Sequence, residues 1–301
     1  MIIQRKPEWL KKKVSGGDQT AMRQLLGELK LATVCQQALC PNISECFSCG
    51  QATFLILGTR CTRSCSFCNV EKNEPPPPDP DEPARIAAGV ARLRLAHVVI
   101  TSPTRDDLED GGAGQYAATV SAIRSNSPST RIELLIPDLQ GDPRSLATIL
   151  SAEADIVGHN IETVPRLYHV RSGADYLRSL GLIRQCREHA PALKTKSGIM
   201  LGLGETVEEV IQVINDLVEA GCSYLSIGQY LAPSTRHWPV QEYVPPERFD
   251  FFRAQALAAG FAHVESGPYV RSSYHAAEYT GGDTVHAGRE AGQSSSSPAG
   301  T

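Results

Sequence analysis

The stretch Thr53–Val70, TFLILGTRCTRSCSFCNV, decides how this chain is read. Its first five residues, TFLIL, are a short apolar run of the kind a buried strand shows. A glycine follows, and then three cysteines spaced C-x3-C-x2-C at Cys61, Cys65 and Cys68. In parallel α/β architectures the loop at a strand's C-terminal end is where sites are built. Three thiolates in so short a loop can wrap one face of a cuboidal iron–sulfur cluster. A four-iron cluster usually takes four protein thiolates, so three leave one iron open to a small chelating molecule. The competing reading is a structural zinc site with a distant fourth ligand. Zinc motifs more often pair two C-x2-C knuckles, and no second knuckle follows in the sequence.

Downstream, apolar runs alternate with helical patterns. HVVIT (His97–Thr101), RIELLI from Arg131, DIVGH (Asp155–His159), KSGIML (Lys196–Leu201) and YLSIG (Tyr224–Gly228) read as further strands. Helices are expected from about Pro83, around Tyr116–Arg124, from Pro143, over Gly173–His189, over Val207–Ala220 and from Pro246. The Val207–Ala220 signal is the strongest. Thr206 and Glu209 spell a capping box, one face is apolar, and Gly221 stands at the stop. Six strands alternating with helices predict a parallel sheet with right-handed crossovers. Six βα units are fewer than the eight of a closed barrel. The expected fold is therefore α/β: a partial (β/α)6 TIM-like barrel over 53–265. An N-terminal cysteine-rich extension (1–52) precedes it. A short C-terminal extension (266–280) and a disordered tail (281–301) follow.

Composition narrows the function classes. The 301 residues are 41% hydrophobic, enough for a sizeable core, and the net charge of -4 argues against a nucleic-acid partner held by bulk charge. No apolar run approaches the roughly 20 residues of a membrane span, and the start lacks a signal peptide's apolar segment. A cytoplasmic location is expected. Of nine cysteines, seven fall between Cys35 and Cys68, which suits metal ligation better than a secreted disulfide framework. Cys186 and Cys222 stand alone and read as buried thiols. Lys11 to Lys13 is a basic run, most simply a solvated face.

Upstream of the first strand lies a second triad, C-x4-C-x5-C, at Cys35, Cys40 and Cys46. Pro41 prevents a continuous helix there. Again no fourth ligand is obvious, and Cys49 is the candidate by proximity. A second cluster has few uses in such an enzyme: electron relay, substrate binding or sulfur donation.

The Cys61 loop, with Phe67 beside its last cysteine, resembles the radical S-adenosylmethionine superfamily. Both triads together, with CPNISECF between them, resemble its lipoyl synthase family. The similarity runs from Lys6 to Ala276. It includes TRDDLEDGGA (Thr104–Ala113), ELLIPDLQGD (Glu133–Asp142), HNIETVPRLY (His159–Tyr168), KSGIMLGLGET (Lys196–Thr206), IGQYLAPS (Ile227–Ser234) and SGPYVRSSYHA (Ser266–Ala276). Two departures fall in loops: Pro103 and Thr104 precede RDDL where the family usually has an acidic residue and a valine, and Ser172 stands where proline is frequent.

The resemblance implies two 4Fe–4S clusters. One is held by Cys61, Cys65 and Cys68, its open iron binding S-adenosylmethionine. The auxiliary one is held by Cys35, Cys40, Cys46 and the oxygen of Ser273, the second serine of RSSY. A hard alkoxide binds iron less well than a thiolate, so the iron on Ser273 is the one expected to leave, and Arg271 could stabilise the alkoxide. Cys49 remains the rival to Ser273. Thr101, Asn160, Glu162 and Arg171, at strand ends and the loops after them, are candidates for S-adenosylmethionine contacts; each also reads as an ordinary loop or cap residue. Gly198–Glu205 fits the strand that contacts the adenine. Gly202-x-Gly204 is not a dinucleotide fingerprint, because Val207 stands where its third glycine belongs. His275 could support the auxiliary site from outside its ligand set.

The implied activity is sulfur transfer. A 5′-deoxyadenosyl radical abstracts hydrogen from an octanoyl chain on a carrier-protein lysine. Two sulfur atoms enter at C6 and C8 from the auxiliary cluster, a sacrificial donor, and two S-adenosylmethionine molecules are used per lipoyl product. The implied partners are octanoylated lipoyl-carrier domains (2-oxoacid dehydrogenase E2 or glycine cleavage H protein), an electron donor such as ferredoxin or flavodoxin, and an iron–sulfur carrier that rebuilds the cluster. Three rivals stand beside this. Another radical enzyme, such as a methylthiotransferase or a biotin-forming enzyme, shares the Cys61 loop but has no reason for RSSYHA. An electron-transfer protein has no use for six βα units, and a zinc module would be colourless.

Overall fold

The computed structural model describes residues 6–11, 19–48, 51–274 and 276. Lys12, Lys13, Cys49, His275 and the segment from 281 onward lie outside the described residues. In chain order the elements are α1 (Thr20–Glu28), β1 (Ala32–Thr33), α2 (Val34–Gln37), α3 (Ile43–Ser48), β2 (Thr53–Leu55) and α4 (Glu82–Leu93). Then come β3 (His97–Thr101), α5 (Ala113–Asn126), β4 (Arg131–Leu135), α6 (Pro143–Leu150), β5 (Ile156–Gly158) and α7 (Tyr176–His189). The last are β6 (Lys194–Leu201), α8 (Val207–Glu219), β7 (Tyr224–Gln229), α9 (Pro246–Ala259) and β8 (His263–Gly267).

The strands form one eight-stranded sheet in sequence order, β1 through β8, which does not close on itself. β1 pairs antiparallel with β2, and every later neighbour pair is parallel. Most central strands are buried along nearly their whole length, so their sequences read as continuous apolar runs. The α/β open-barrel expectation holds, with two strands added. β1 has two residues, too few to register as a pattern. β8 buries only Val264 of its five residues, so it offers no apolar run.

Boundaries moved where a single residue ends an element. The apolar run after Thr53 stops as a strand at Leu55 because Leu57 and Gly58 turn left-handed (φ 65° and 86°) into the cysteine loop. The helix expected from Gly173 begins at Tyr176, where the Asp175 carboxylate accepts from the Arg178 amide at 2.8 Å. The capping box of Thr206 and Glu209 forms as read. Pro41 does separate α2 from α3.

The chain after β8 turns back over the sheet toward the N-terminal extension. Asn42 Nδ2 donates to the Tyr269 carbonyl at 2.7 Å, and the Tyr274 hydroxyl donates to Glu45 at 3.1 Å. Two glycines admit this return. A Cβ on Gly228 would lie 2.1 Å from the Val270 carbonyl oxygen, and one on Gly198 would lie 3.1 Å from Ser272 Oγ. The first distance is impossible against fixed backbone, and the second is tight enough that the serine side chain would have to give way. Replacing Gly228 by alanine should therefore force the return segment off β7 and cost about 1–3 kcal/mol. Chemical denaturation checks this, and a midpoint equal to that of the unsubstituted protein would contradict the close approach.

Candidate functional site

The Cys61–Cys68 loop is tied down by the ends of several other strands. Cys61 N donates to the Glu71 carbonyl at 2.8 Å, Thr62 N to Thr104 at 3.0 Å, and Ser66 N to Val170 at 2.9 Å; Trp238 N donates to Ser66 at 2.9 Å. Two of the three residues flagged as departures, Thr104 and Ser172, meet this loop as well. Thr104 accepts from Thr62 through its backbone, and the Ser64 hydroxyl donates to Ser172 Oγ at 3.3 Å. The Arg63 amide donates to Cys61 Sγ at 3.4 Å.

Arg63 itself holds the loop by charge. Its guanidinium donates to both oxygens of Asp106 (2.6 and 2.9 Å) and both of Asp138 (3.0 and 2.7 Å). The Arg63 side chain is 8% exposed and Asp138 not at all, so both charges are desolvated and each depends on the other. Arg178 also pairs with Asp138, at 2.9 Å. Burial pushes the Asp138 acid constant up, and the guanidiniums outweigh it and hold it at about 2. Arg105, equally buried, donates to the Leu57 carbonyl at 3.0 Å and pairs with Asp107, so it fixes the turn that starts the loop. These contacts give TRDDLEDGGA and ELLIPDLQGD their tasks. No sequence pattern pairs Arg63 with acids 43 and 75 residues on. The only available signal was an arginine standing between two ligand cysteines.

Among the four S-adenosylmethionine candidates, three gather near the cysteines. Glu162 lies close enough to Cys65 and Cys68 to raise both acid constants, and Arg171 close enough to lower that of Cys65. Burial is the larger influence on both thiols, pushing Cys68 up to about 11. Glu162 adopts a left-handed backbone (φ 65°) and is locked there by bonds to β6, its N–H to the Gly198 carbonyl and its carbonyl from Met200 N, both 2.9 Å. Burial raises its acid constant, opposed by Arg171 and Asn160. Arg171 donates to the Tyr168 hydroxyl at 2.6 Å, to Ser179 Oγ at 3.1 Å and to His159 Nε2 at 3.3 Å. His159 Nδ1 faces the Ile136 carbonyl at 2.9 Å, which can only accept, so Nδ1 carries the proton and Nε2 accepts. Burial and then Arg171 hold this imidazole neutral, its acid constant at about 3. No sequence pattern marks this His159–Ser179–Tyr168 bracket around Arg171. Thr101 is placed apart, at the end of β3, where its hydroxyl donates to the Leu135 carbonyl at 2.9 Å.

The first triad and Ser273 come together elsewhere. Cys35, Cys40, Cys46, Arg271 and Ser273 line one cavity of about 240 Å³. Ser273 Oγ accepts a hydrogen bond from the Thr53 hydroxyl at 2.7 Å. Burial pushes the Cys35 thiol up, and it lowers the acid constant of the Arg271 guanidinium against the opposing pull of Cys40. His97, at the start of β3, lines the same cavity and sits 3.3 Å from Glu133, whose other oxygen pairs with Lys196 at 2.9 Å. Burial would raise the Glu133 acid constant, but Lys196 and His97 hold it low.

Both cysteine sets fit iron–sulfur clusters. Their thiols are partly or fully buried, with no disulfide among the described residues. No three Cys, His, Asp or Glu side chains among the described residues are gathered tightly enough to hold a single metal ion. A four-iron cube spreads its ligands over separate corners.

A model of the radical SAM superfamily matches residues 55–217. A lipoyl synthase from Trichlorobacter lovleyi is 69% identical over 280 residues, covering 93% of this chain and 100% of that protein. One from Geobacter metallireducens is 65% identical over 281 residues, covering 93% and 99%. The chain belongs to the lipoyl synthase family. It is a radical S-adenosylmethionine enzyme, and membership implies a 4Fe–4S cluster and S-adenosylmethionine. Among solved structures, Streptococcus suis SuiB bound to S-adenosylmethionine superposes with a TM-score of 0.56 at 12% identity, over 70% of this chain and only 49% of that one. HydG, a maturase of the [FeFe]-hydrogenase, gives 0.51 at 13% identity over 84% and 71%. These two share the fold.

The Arg63–Asp138 pair yields a pH prediction. Folding lowers the Asp138 acid constant from 3.8 to about 2, so its stabilisation is full above the unfolded value and disappears as pH falls through the folded one. Asp138→Asn should be about 3 kcal/mol less stable at neutral pH, and the gap should narrow from about pH 4 toward pH 2. Urea titrations of both proteins at several pH values measure this; a gap that stays constant with pH would refute the pairing.

Proposed function

We propose that this enzyme inserts two sulfur atoms at C6 and C8 of an octanoyl chain carried on a lysine of a lipoyl-carrier domain. The observation that carries the reading is the convergence of Cys35, Cys40, Cys46 and Ser273 on one cavity, separate from the Cys61 loop. When bound, the Cys61/Cys65/Cys68 cluster with S-adenosylmethionine supplies a 5′-deoxyadenosyl radical, and a second 4Fe–4S cluster on the first triad supplies sulfide.

The chain's own residues do the rest. Arg63, clamped by Asp106 and Asp138, keeps the three thiols in place. Arg171, bracketed by Tyr168, Ser179 and neutral His159, presents a fixed cation beside Cys65 that suits the carboxylate of S-adenosylmethionine. Both amide hydrogens of Asn160 are engaged within the protein, so it offers the cofactor an acceptor oxygen only. Thr101, its hydroxyl proton committed to Leu135, likewise offers an acceptor. At the donor site the Thr53 hydroxyl and half-buried Arg271 favour an anionic Ser273 oxygen, the state in which it ligates iron.

Octanoylated E2 or glycine cleavage H domains are the proposed substrates. A ferredoxin or flavodoxin is the proposed reductant, with an iron–sulfur carrier to rebuild the cluster. No helix among the described residues is long and apolar enough to cross a membrane, and a cytoplasmic site of action is proposed.

Anaerobic reconstitution tests the two-cluster reading directly. About eight irons per chain are expected, and about four would sink it. Substitutions then separate the two sites. Cys65→Ala should abolish 5′-deoxyadenosine. Cys40→Ala and Ser273→Ala should retain it while lipoyl product disappears. Lipoyl product from the Cys40 variant would count against the donor role.

A further inference from the structure

We propose that Asn160 is a positioning residue that couples the radical-forming site to the sulfur-donating site through Ser272. The proposal rests on the two-cluster reading above.

The geometry is specific. Asn160 follows β5, on the radical-forming side, and its Nδ2 carries two hydrogens. One goes to Glu162 Oε1 at 3.1 Å, beside Cys65 and Cys68. The other goes to Ser272 Oγ at 2.7 Å, on the residue next to Ser273. A single planar amide therefore touches a group from each site, across 112 residues of sequence. The place where they meet is kept open by the sheet itself. A Cβ on Gly198 would lie 2.8 Å from Asn160 Oδ1, 2.8 Å from Ser226 Oγ and 3.1 Å from Ser272 Oγ. The backbone of Glu162 is bonded to the Gly198 carbonyl and to Met200, so the acceptor on the radical side cannot drift relative to β6. Ser272 is held on its other side by the Thr53–Ser273 bond.

The consequence concerns timing. A radical formed before the donor cavity is in position is wasted, because it is quenched without a carbon–sulfur bond forming. A bond that links the RSSY segment to the Glu162 end of the site makes placement of one depend on placement of the other. Asn160 then acts through Ser272, and its loss should show as uncoupling, not simply as slower cleavage.

The experiment uses the reconstituted full chain with an octanoylated peptide and measures 5′-deoxyadenosine formed per sulfur atom inserted. Asn160→Ala and Ser272→Ala should each raise that ratio about two- to tenfold, the factor expected for loss of one hydrogen bond. The double variant should be no worse than the more affected single one. Mössbauer spectra of the resting variants should show a changed signal for the oxygen-ligated iron at unchanged iron content. Ser272→Ala keeps the test decisive even where Asn160→Ala fails to fold. If Asn160→Ala slows deoxyadenosine formation with the ratio and spectrum unchanged, Asn160 contacts the cofactor only and the coupling is wrong. Additive effects in the double variant would equally overturn it. Failure of the underlying reading looks different: the unsubstituted enzyme would then form deoxyadenosine without inserting sulfur.

Discussion

The hydrogen bond from the Thr53 hydroxyl to Ser273 spans 220 residues and is made at 2.7 Å. It requires the chain to return from the last strand to the first without filling the interior it crosses. Side chains on β6 and β7 would block that path, and the glycines at 198 and 228 are where the path comes closest to them. The return also needs an anchor at its far end, which Asn42 and Glu45 in the N-terminal extension provide through Tyr269 and Tyr274. The extension, the open sheet and the last residues are therefore one construction. Loss of contact at any of the three would take Ser273 away from the cavity lined by Cys35, Cys40 and Cys46.

The opposite end of the design is electrostatic. The Cys61 loop begins at a strand end that could point in many directions, and thiols repel one another once deprotonated. The charge that opposes the second problem, at Cys65, is Arg171, and Arg63 resolves the first by burying its charge between Asp106 and Asp138. Isolated burial of any of these three would be costly, and the cost is what makes the geometry unique. The same logic recurs at Arg105 with Asp107, and at Glu133 with Lys196 and His97. At Glu133 burial alone would neutralise the carboxyl, and Lys196, 63 residues on, and His97 hold it charged.

That pattern explains what the sequence could and could not reveal. Apolar runs, the capping box at Thr206 and the two triads are local, and local features survive in one dimension. β1 and β8 were silent because two residues and one buried valine carry no periodic signal. The residues around the site were silent for a different reason. Arg171 was legible as a cation near a strand end, yet its bracket of Tyr168, Ser179 and neutral His159 depends on how α7 packs against β5. Thr53 reads as the first residue of a strand and nothing more. Its role exists only because Ser273 arrives opposite it. Each cysteine triad is a short local spacing visible in the sequence, whereas the groups around it are assembled by the fold.

The choice of oxygen at the end of the return segment follows from the same constraint. A cysteine at 273 would complete four matched thiolates, and four equivalent bonds give no reason for one iron to leave before another. A serine oxygen makes a weaker bond to iron, and only if it is deprotonated. Deprotonation of a buried hydroxyl is unfavourable unless a donor and a positive charge stand beside it. Thr53 supplies the donor and Arg271, in the same cavity, the charge. Arg271 is itself half-buried, and desolvation works against its charge while Cys40 works for it. The guanidinium and the anionic ligands thus stabilise one another, and removing a ligand weakens the hold on the rest. Under the proposed sulfur-donor reading, a site arranged in this way would be stable while intact and progressively easier to dismantle once the first bond to iron is broken.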